Sequence, residues 1–346
     1  MLVKLKQFKT IPPRLLTIKT AAELYKISEE PFLLHLEGHR KAPLFSSVLL
    51  HGNEDTGFLA VQQLLRKYQK HPLPRSFSIF FGNIEAAKQN VRRLEGQPDY
   101  NRVWPGTDYP DCKEVRLMAL VTEIMAARQP FASIDVHNNT GCNPHYACVN
   151  RLSDTFLQLA TLFSRTVVFF QSPRGVQSMA MAQYCPSVTV ECGKPHLPHG
   201  VKQASRYLEA ALHLSEIPQH PVHEVDLFHT VARITIPKQT SFSFRQKAVD
   251  IHLPPALDYF NFSEMPIGTL FAHVDPKEPH CFQAWDDQNQ DKASLYFSHK
   301  NGQLRLKQAM MPAMLTLDEK MIRQDCLCYL MKRLAYKTSN WFKTSL

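Results

Sequence analysis

Ser46-Ser47-Val48-Leu49-Leu50-His51-Gly52-Asn53-Glu54-Asp55-Thr56-Gly57 is the stretch on which the reading of this chain turns. An apolar run over 46–50 meets a turn containing Gly52 and Gly57, and a helix-periodic pattern follows over 58–70. The order is strand, sharp turn, helix. His51 and Glu54, three residues apart at the strand end, can grip one metal ion from two sides. Hydrolytic zinc sites take three protein ligands, often two His and a carboxylate, with a fourth position left for water. A second apolar run, 132–136, ends in His137 within Asp135-Val136-His137-Asn138-Asn139-Thr140. His51, Glu54 and His137 are therefore the candidate ligands of one zinc ion per chain.

Outward from this stretch, strand patterns fall at 32–36, 48–50, 77–81, 132–136, 167–170 and 187–190. Helical patterns lie between them at 58–70, 114–128, 153–165 and 201–215, and Thr20 with Glu23 suits a short capped helix earlier. Apolar strands alternating with helices predict an α/β fold, a mixed central sheet with helices on both faces. The texture changes at Ile217-Pro218-Gln219-His220-Pro221-Val222, which reads as a linker. Beyond it come short alternating strands such as 231–236, punctuated by Pro254, Pro255, Pro266 and Pro276. We expect a catalytic domain of residues 1–217 and a smaller β-rich domain of residues 218–346 that closes with a helix at about 319–337.

At 346 residues, 44% hydrophobic and 21% charged, the chain has the composition of a soluble globular protein. Its longest apolar runs are too short to span a bilayer, and the amino-terminal MLVKLKQFKT lacks the apolar core of a signal peptide. Eight irregularly spaced Cys read as reduced thiols, which points to the cytoplasm, with Cys326 and Cys328 packed on a helix. The net charge of +9 favours anionic ligands. The basic residues are dispersed and not interleaved with aromatics, which argues against a nucleic-acid partner.

Open α/β sheets bind ligands at the carboxyl ends of their strands, where His51, Glu54, Asn83, His137 and Glu191 all fall. Glu191, in Val190-Glu191-Cys192-Gly193, is the candidate general base, with a raised pKa expected at the mouth of a buried strand. Arg92 and Arg93 are candidate partners for a tetrahedral oxyanion. Asn101 and Arg102, side by side, can hold a substrate carboxylate through the planar guanidinium fork. Asn138, and His145 in Asn143-Pro144-His145-Tyr146, are candidates to line the pocket, as are His196 and His199. His71, His220, His223, His229 and His280 read as surface or turn residues.

Four blocks, HGNEDTG, the stretch from Gly82 through Arg102, DVHNNTG and VECGKP, occur in an order that resembles the succinylglutamate desuccinylase and aspartoacylase family of the zinc carboxypeptidase superfamily. The resemblance covers about residues 45–200. It implies that His51, Glu54 and His137 are zinc ligands, Glu191 the general base, and Asn101 with Arg102 the carboxylate-binding pair. It matches Arg92 to the arginine that polarises the scissile carbonyl, and it implies a β-rich carboxy-terminal domain. The chain departs from the family pattern at Ile84, where Pro is usual, and in the inserted Gly96-Gln97-Pro98, which keeps Arg93 as a rival to Arg92. It also lacks an Arg in 178–184, where aspartoacylases bind the side-chain carboxylate; Arg174 is the nearest substitute.

The expected activity is hydrolysis of an amide bond next to a free carboxylate, foremost the deacylation of a small-molecule N-acyl amino acid. A metallocarboxypeptidase acting on peptide or modified protein C-termini is the alternative. From another class, a non-catalytic binding protein could retain the same fold.

Overall fold

The computed structural model describes residues 4–246, 248–275 and 282–335. Two compact units divide them: residues 4–138 with His145–Asp226, and Asn139–Pro144 with Leu227–Ala335. The expected boundary after residue 217 falls inside the first unit, which runs on to Asp226.

The first unit is built on the strands β1 (Lys6–Phe8), β2 (Phe32–Leu36), β3 (Gly38–Val48), β4 (Leu73–Phe81), β5 (Ala132–His137), β6 (Tyr146–Val149), β7 (Thr166–Phe169) and β8 (Ser187–Glu191). Their spatial order is β1-β2-β4-β3-β5-β8-β6-β7. The central four, β4, β3, β5 and β8, are mutually parallel, whereas β2 and β6 run antiparallel to their neighbours β4 and β8. This is the mixed sheet that the sequence pattern predicts. Four adjacent parallel strands bring four carboxyl ends to one edge, and that edge carries the site.

Six helices accompany these strands: α1 (Thr56–Lys67), α2 (Ile84–Lys88), α3 (Lys113–Ala127), α4 (Asp154–Thr161), α5 (Gln177–Met181) and α6 (Pro198–His213). Gly57 of α1 lies against Val48 and Val136, α1 packs on α6, and Tyr207 of α6 donates to the Leu159 carbonyl of α4. These three helices cover one face. On the other, α3 and α5 bury Leu117, Met118, Val121, Met125, Ala180 and Met181 with Phe45, Phe80 and Trp104. Each such large apolar side chain contributes about 1.5–3 kcal/mol by leaving water. The early turn at Ala21–Lys26 is 3₁₀, and Thr20 makes no side-chain cap there.

Strand β3 begins ten residues earlier than the pattern 48–50 and stops at Val48, because Leu49 turns into the left-handed region with φ 57°. A non-glycine residue in that region is strained, and strain of this kind gathers at functional turns.

In the second unit, Asp226–Thr235 pairs antiparallel with Cys328–Arg333 and with Gln283–Trp285, and a separate five-stranded sheet lies further along the chain. The predicted closing helix is corrected here. A helix spans only Glu319–Gln324, capped by Asp318, and 328–333 is a strand. Cys328, Tyr329, Leu330 and Met331 are all buried, and a short run buried on every side has no periodicity to tell strand from helix. Cys326 and Cys328 consequently sit in a loop and a strand, not on a helix. Pro276, His280, Cys281 and residues 336–337 of the expected helix lie outside the described residues.

Candidate metal centre

His51 and Glu54 lie in the turn between β3 and α1, and the turn's shape depends on Gly52. A Cβ there would stand 2.2 Å from the Ala87 amide nitrogen, so no other residue fits without moving α2. The Gly52 amide donates to the Arg92 carbonyl at 3.1 Å, and the Glu54 amide to the His51 carbonyl at 3.2 Å. His137 ends β5, in register with Glu191 on β8, and Glu191 is in turn opposite Tyr146 on β6. Alternation along a strand puts Asp135 and His137 on one face, and Thr189 and Glu191 beside them.

The three predicted ligands converge. His51 Nδ1 lies 2.7 Å from Glu54 Oε1, and His137 Nδ1 lies 2.8 Å from Glu54 Oε2. The two rings are 4.9 Å apart, all three side chains are buried, and their ligand atoms lie within 4.8 Å of one another. Each far ring nitrogen meets another carboxylate: His51 Nε2 is 3.0 Å from Asp99 Oδ1, and His137 Nε2 is 2.8 Å from Asp135 Oδ2. Ser47 donates to the other Asp135 oxygen at 2.6 Å. Imidazoles anchored at one nitrogen by carboxylates, with the other turned toward a third donor, have the arrangement that zinc-binding His residues adopt. The donor set therefore fits a zinc ion.

The electrostatics follow from this crowding. Burial disfavours a charged His137, but Asp135 and Glu54 on either side outweigh it and hold the imidazole pKa well above its usual value. Burial likewise opposes ionisation of Glu54 and Asp99. His51 and His137 overcome it at Glu54, and Arg92, His51 and Arg102 at Asp99, so both carboxyls stay below the ordinary range.

Arg92 is buried, donates to Asp99 Oδ2 at 2.8 Å through Nη2, and has Nη1 3.6 Å from Glu54 Oε1. Arg93 instead donates to the Gln97 carbonyl at 2.6 Å. The Gln97 carbonyl thus captures Arg93, and Arg92 is the one of the pair that meets the ligand cluster. Asn101 is buried, its oxygen accepts from the Gln177 amide at 3.0 Å, and its Nδ2 lies 3.1 Å from His137 Nε2. Arg102 is half-buried and donates to the Asn101 carbonyl. Asn138 bridges the strand ends, accepting from the Thr56 amide and donating to the Gly193 carbonyl.

His145 stacks on His199, with ring centroids 5.3 Å apart, and burial followed by His199 lowers its pKa. Asn83 caps α2 through the Ala86 amide and does not join the cluster. Arg174 is exposed beside Asp108. The sequence reading missed Asp99 and Asp135. Asp135 had a signal, since it lies two residues before His137 and must share its face.

Residues 49–217 match the succinylglutamate desuccinylase/aspartoacylase catalytic domain. No curated protein matches the chain in sequence. Among solved structures, murine aminoacylase 3 is similar at TM-score 0.58 and 12% identity, over 86% of this chain and 96% of that one. The succinylglutamate desuccinylase from Chromobacterium violaceum gives TM-score 0.53 and 15% identity over 86% of each chain. The product-bound ectoine utilization protein EutE (DoeB) from Ruegeria pomeroyi gives 0.54 and 13% over 88% of each. Identities this low show the shared fold. Residues 49–217 therefore carry the catalytic domain of the succinylglutamate desuccinylase/aspartoacylase family, with the four sequence blocks and the fold in agreement.

Proposed function

We propose that this protein is a zinc-dependent hydrolase that removes the acyl group from an N-acyl amino acid. The observation that carries the reading is the register of Glu191 with His137, which sets a carboxylate beside the buried His51–Glu54–His137 cluster. Desuccinylases and an aminoacylase share the fold, which supports amide substrates of this kind.

Zinc held by His51, Glu54 and His137 would supply Lewis-acid chemistry, polarising the scissile carbonyl and making water acidic near neutral pH. Glu191 takes the proton from the attacking water and delivers it to the leaving nitrogen. Arg92, fixed by Asp99, gives the developing oxyanion a positive partner that needs no reorganisation. Arg102 anchors the free carboxylate. Asn101, its side chain fixed by the Gln177 amide, lies beside the His137 ring, while its backbone carbonyl orients the Arg102 guanidinium.

A peptide substrate is the second reading, because residues 178–184 contain no Arg for an acidic side chain. The test is hydrolysis of a panel of N-acyl amino acids and short peptides by zinc-loaded protein. Faster cleavage of N-acyl amino acids supports deacylation, faster cleavage of peptides supports a carboxypeptidase, and no cleavage of either contradicts the proposal.

A further inference from the structure

Asp55 follows Glu54 directly and occupies the N-cap position of α1, yet its side chain caps nothing in that helix. An Asp at an N-cap ordinarily accepts from the helix's own first-turn amides. Here both oxygens turn to another segment: Oδ1 accepts from the His196 amide at 3.1 Å, and Oδ2 lies 2.7 Å from His196 Nδ1. The first amide of α1, that of Thr56, is served by Asn138 instead. His196 has φ 64°, a conformation that L side chains rarely adopt, between Pro195 and the Leu197–Pro198 start of α6. Strain of that kind persists only where neighbouring contacts impose it.

The segment so held is the one that leaves Glu191. The Cys192 amide donates to the His137 carbonyl at 2.9 Å, the Gly193 carbonyl accepts from Asn138 Nδ2 at 2.9 Å, and His196 binds Asp55. On its far side, a Cβ on Gly200 of α6 would stand 2.5 Å from the Cys192 carbonyl oxygen, and His199 stacks on His145. The loop therefore has one end fixed to the strand that carries His137 and the other to the residue after Glu54.

We infer that Asp55 and His196 are positioning residues that clamp the loop after Glu191 to the start of α1 and so fix the Glu191 carboxylate relative to the metal ligands. The inference rests on the reading of Glu191 as general base. The Asp55 side chain bonds His196 and not His51, Glu54 or His137, so the clamp governs proton transfer and leaves metal binding alone.

The experiment compares Asp55→Ala, His196→Gly, His196→Asn, the double variant and Glu191→Gln in the zinc-loaded protein. It measures kcat and KM on an N-acyl amino acid, zinc affinity by chelator competition, the visible spectrum after cobalt substitution, and amide exchange over 192–197. Asp55→Ala and His196→Gly should each lower kcat about 10- to 100-fold, the range that a displacement of about 1 Å costs. KM, zinc affinity and the cobalt spectrum should stay as in the wild type, while amide exchange over 192–197 accelerates. His196→Asn should recover most of the rate, because Asn tolerates the left-handed region and offers an amide donor to Asp55. The double variant should be no slower than either single one, as expected for two halves of one contact.

Unchanged kcat and exchange in Asp55→Ala would overturn the clamp, and so would a zinc affinity that falls in step with kcat. If Glu191→Gln is inactive while Asp55→Ala is unaffected, only the clamp fails. If Glu191→Gln is fully active, the base assignment fails and the clamp with it. Should the wild type cleave nothing, the functional reading fails, and amide exchange alone then decides whether Asp55 and His196 hold the loop.

Discussion

Replacing His35 with Gln should reverse the order of stability between variant and wild type as pH falls. His35 is buried on β2, with Nδ1 2.9 Å from Ser78 Oγ and Nε2 3.2 Å from Gln7 Oε1. Burial, and after it the charge of Arg128, lower its pKa from 6.5 to about 4. The unfolded chain therefore binds a proton here between pH 6.5 and 4 that the folded chain refuses. Stability from this group is complete above pH 6.5 and is lost as pH drops toward 4. Integrated from pH 7.5 to 4.5, the loss is about 2.5 kcal/mol. Gln is neutral throughout and keeps a hydrogen-bonding amide, at a cost of about 1 kcal/mol in imperfect geometry. His35→Gln should thus be about 1 kcal/mol less stable than wild type at pH 7.5 and about 1.5 kcal/mol more stable at pH 4.5. Urea unfolding of both proteins across this range reads the difference directly, because all other groups titrate in common. Parallel stability profiles would refute the reasoning.

Other substitutions test the site. Glu191→Gln should lower kcat at least about 100-fold while the protein still binds one zinc, measured by metal analysis beside the turnover assay. Arg92→Ala should cost about 100- to 1,000-fold in kcat. Arg93→Ala, which frees only the Gln97 carbonyl, should stay close to wild type, and a larger loss there would reassign the oxyanion partner. Gly52→Ala forces a Cβ against the backbone of α2. It should destabilise the fold by about 1–3 kcal/mol in thermal unfolding and weaken zinc binding through His51.

The edge of the sheet was legible because strand ends are punctuated. A buried run that stops at a His or Glu announces both the element and its outward-facing group, and β5 with His137 and β8 with Glu191 are the clearest cases. Helices of five residues, α2 and α5, are too short to show a period, and β6 hides behind Pro144. The strand at Cys328–Arg333 was read as helix because burial on all sides erases alternation. Asp99 escaped notice for a different reason. It makes its contact with His51 across 48 residues of sequence, and local spacing carries no trace of that pairing. The choice between Arg92 and Arg93 likewise needed the Gln97 backbone carbonyl in place.

Titrating the metal-free protein with zinc while following cleavage of an N-acyl amino acid tests the central claim most directly. Activity should be absent at the start, rise in proportion to added zinc, and level off at one equivalent per chain. In the His137→Ala variant, it should not appear at one equivalent. Full activity in the metal-free protein, or a plateau reached with no zinc bound at His51, Glu54 and His137, would contradict the account.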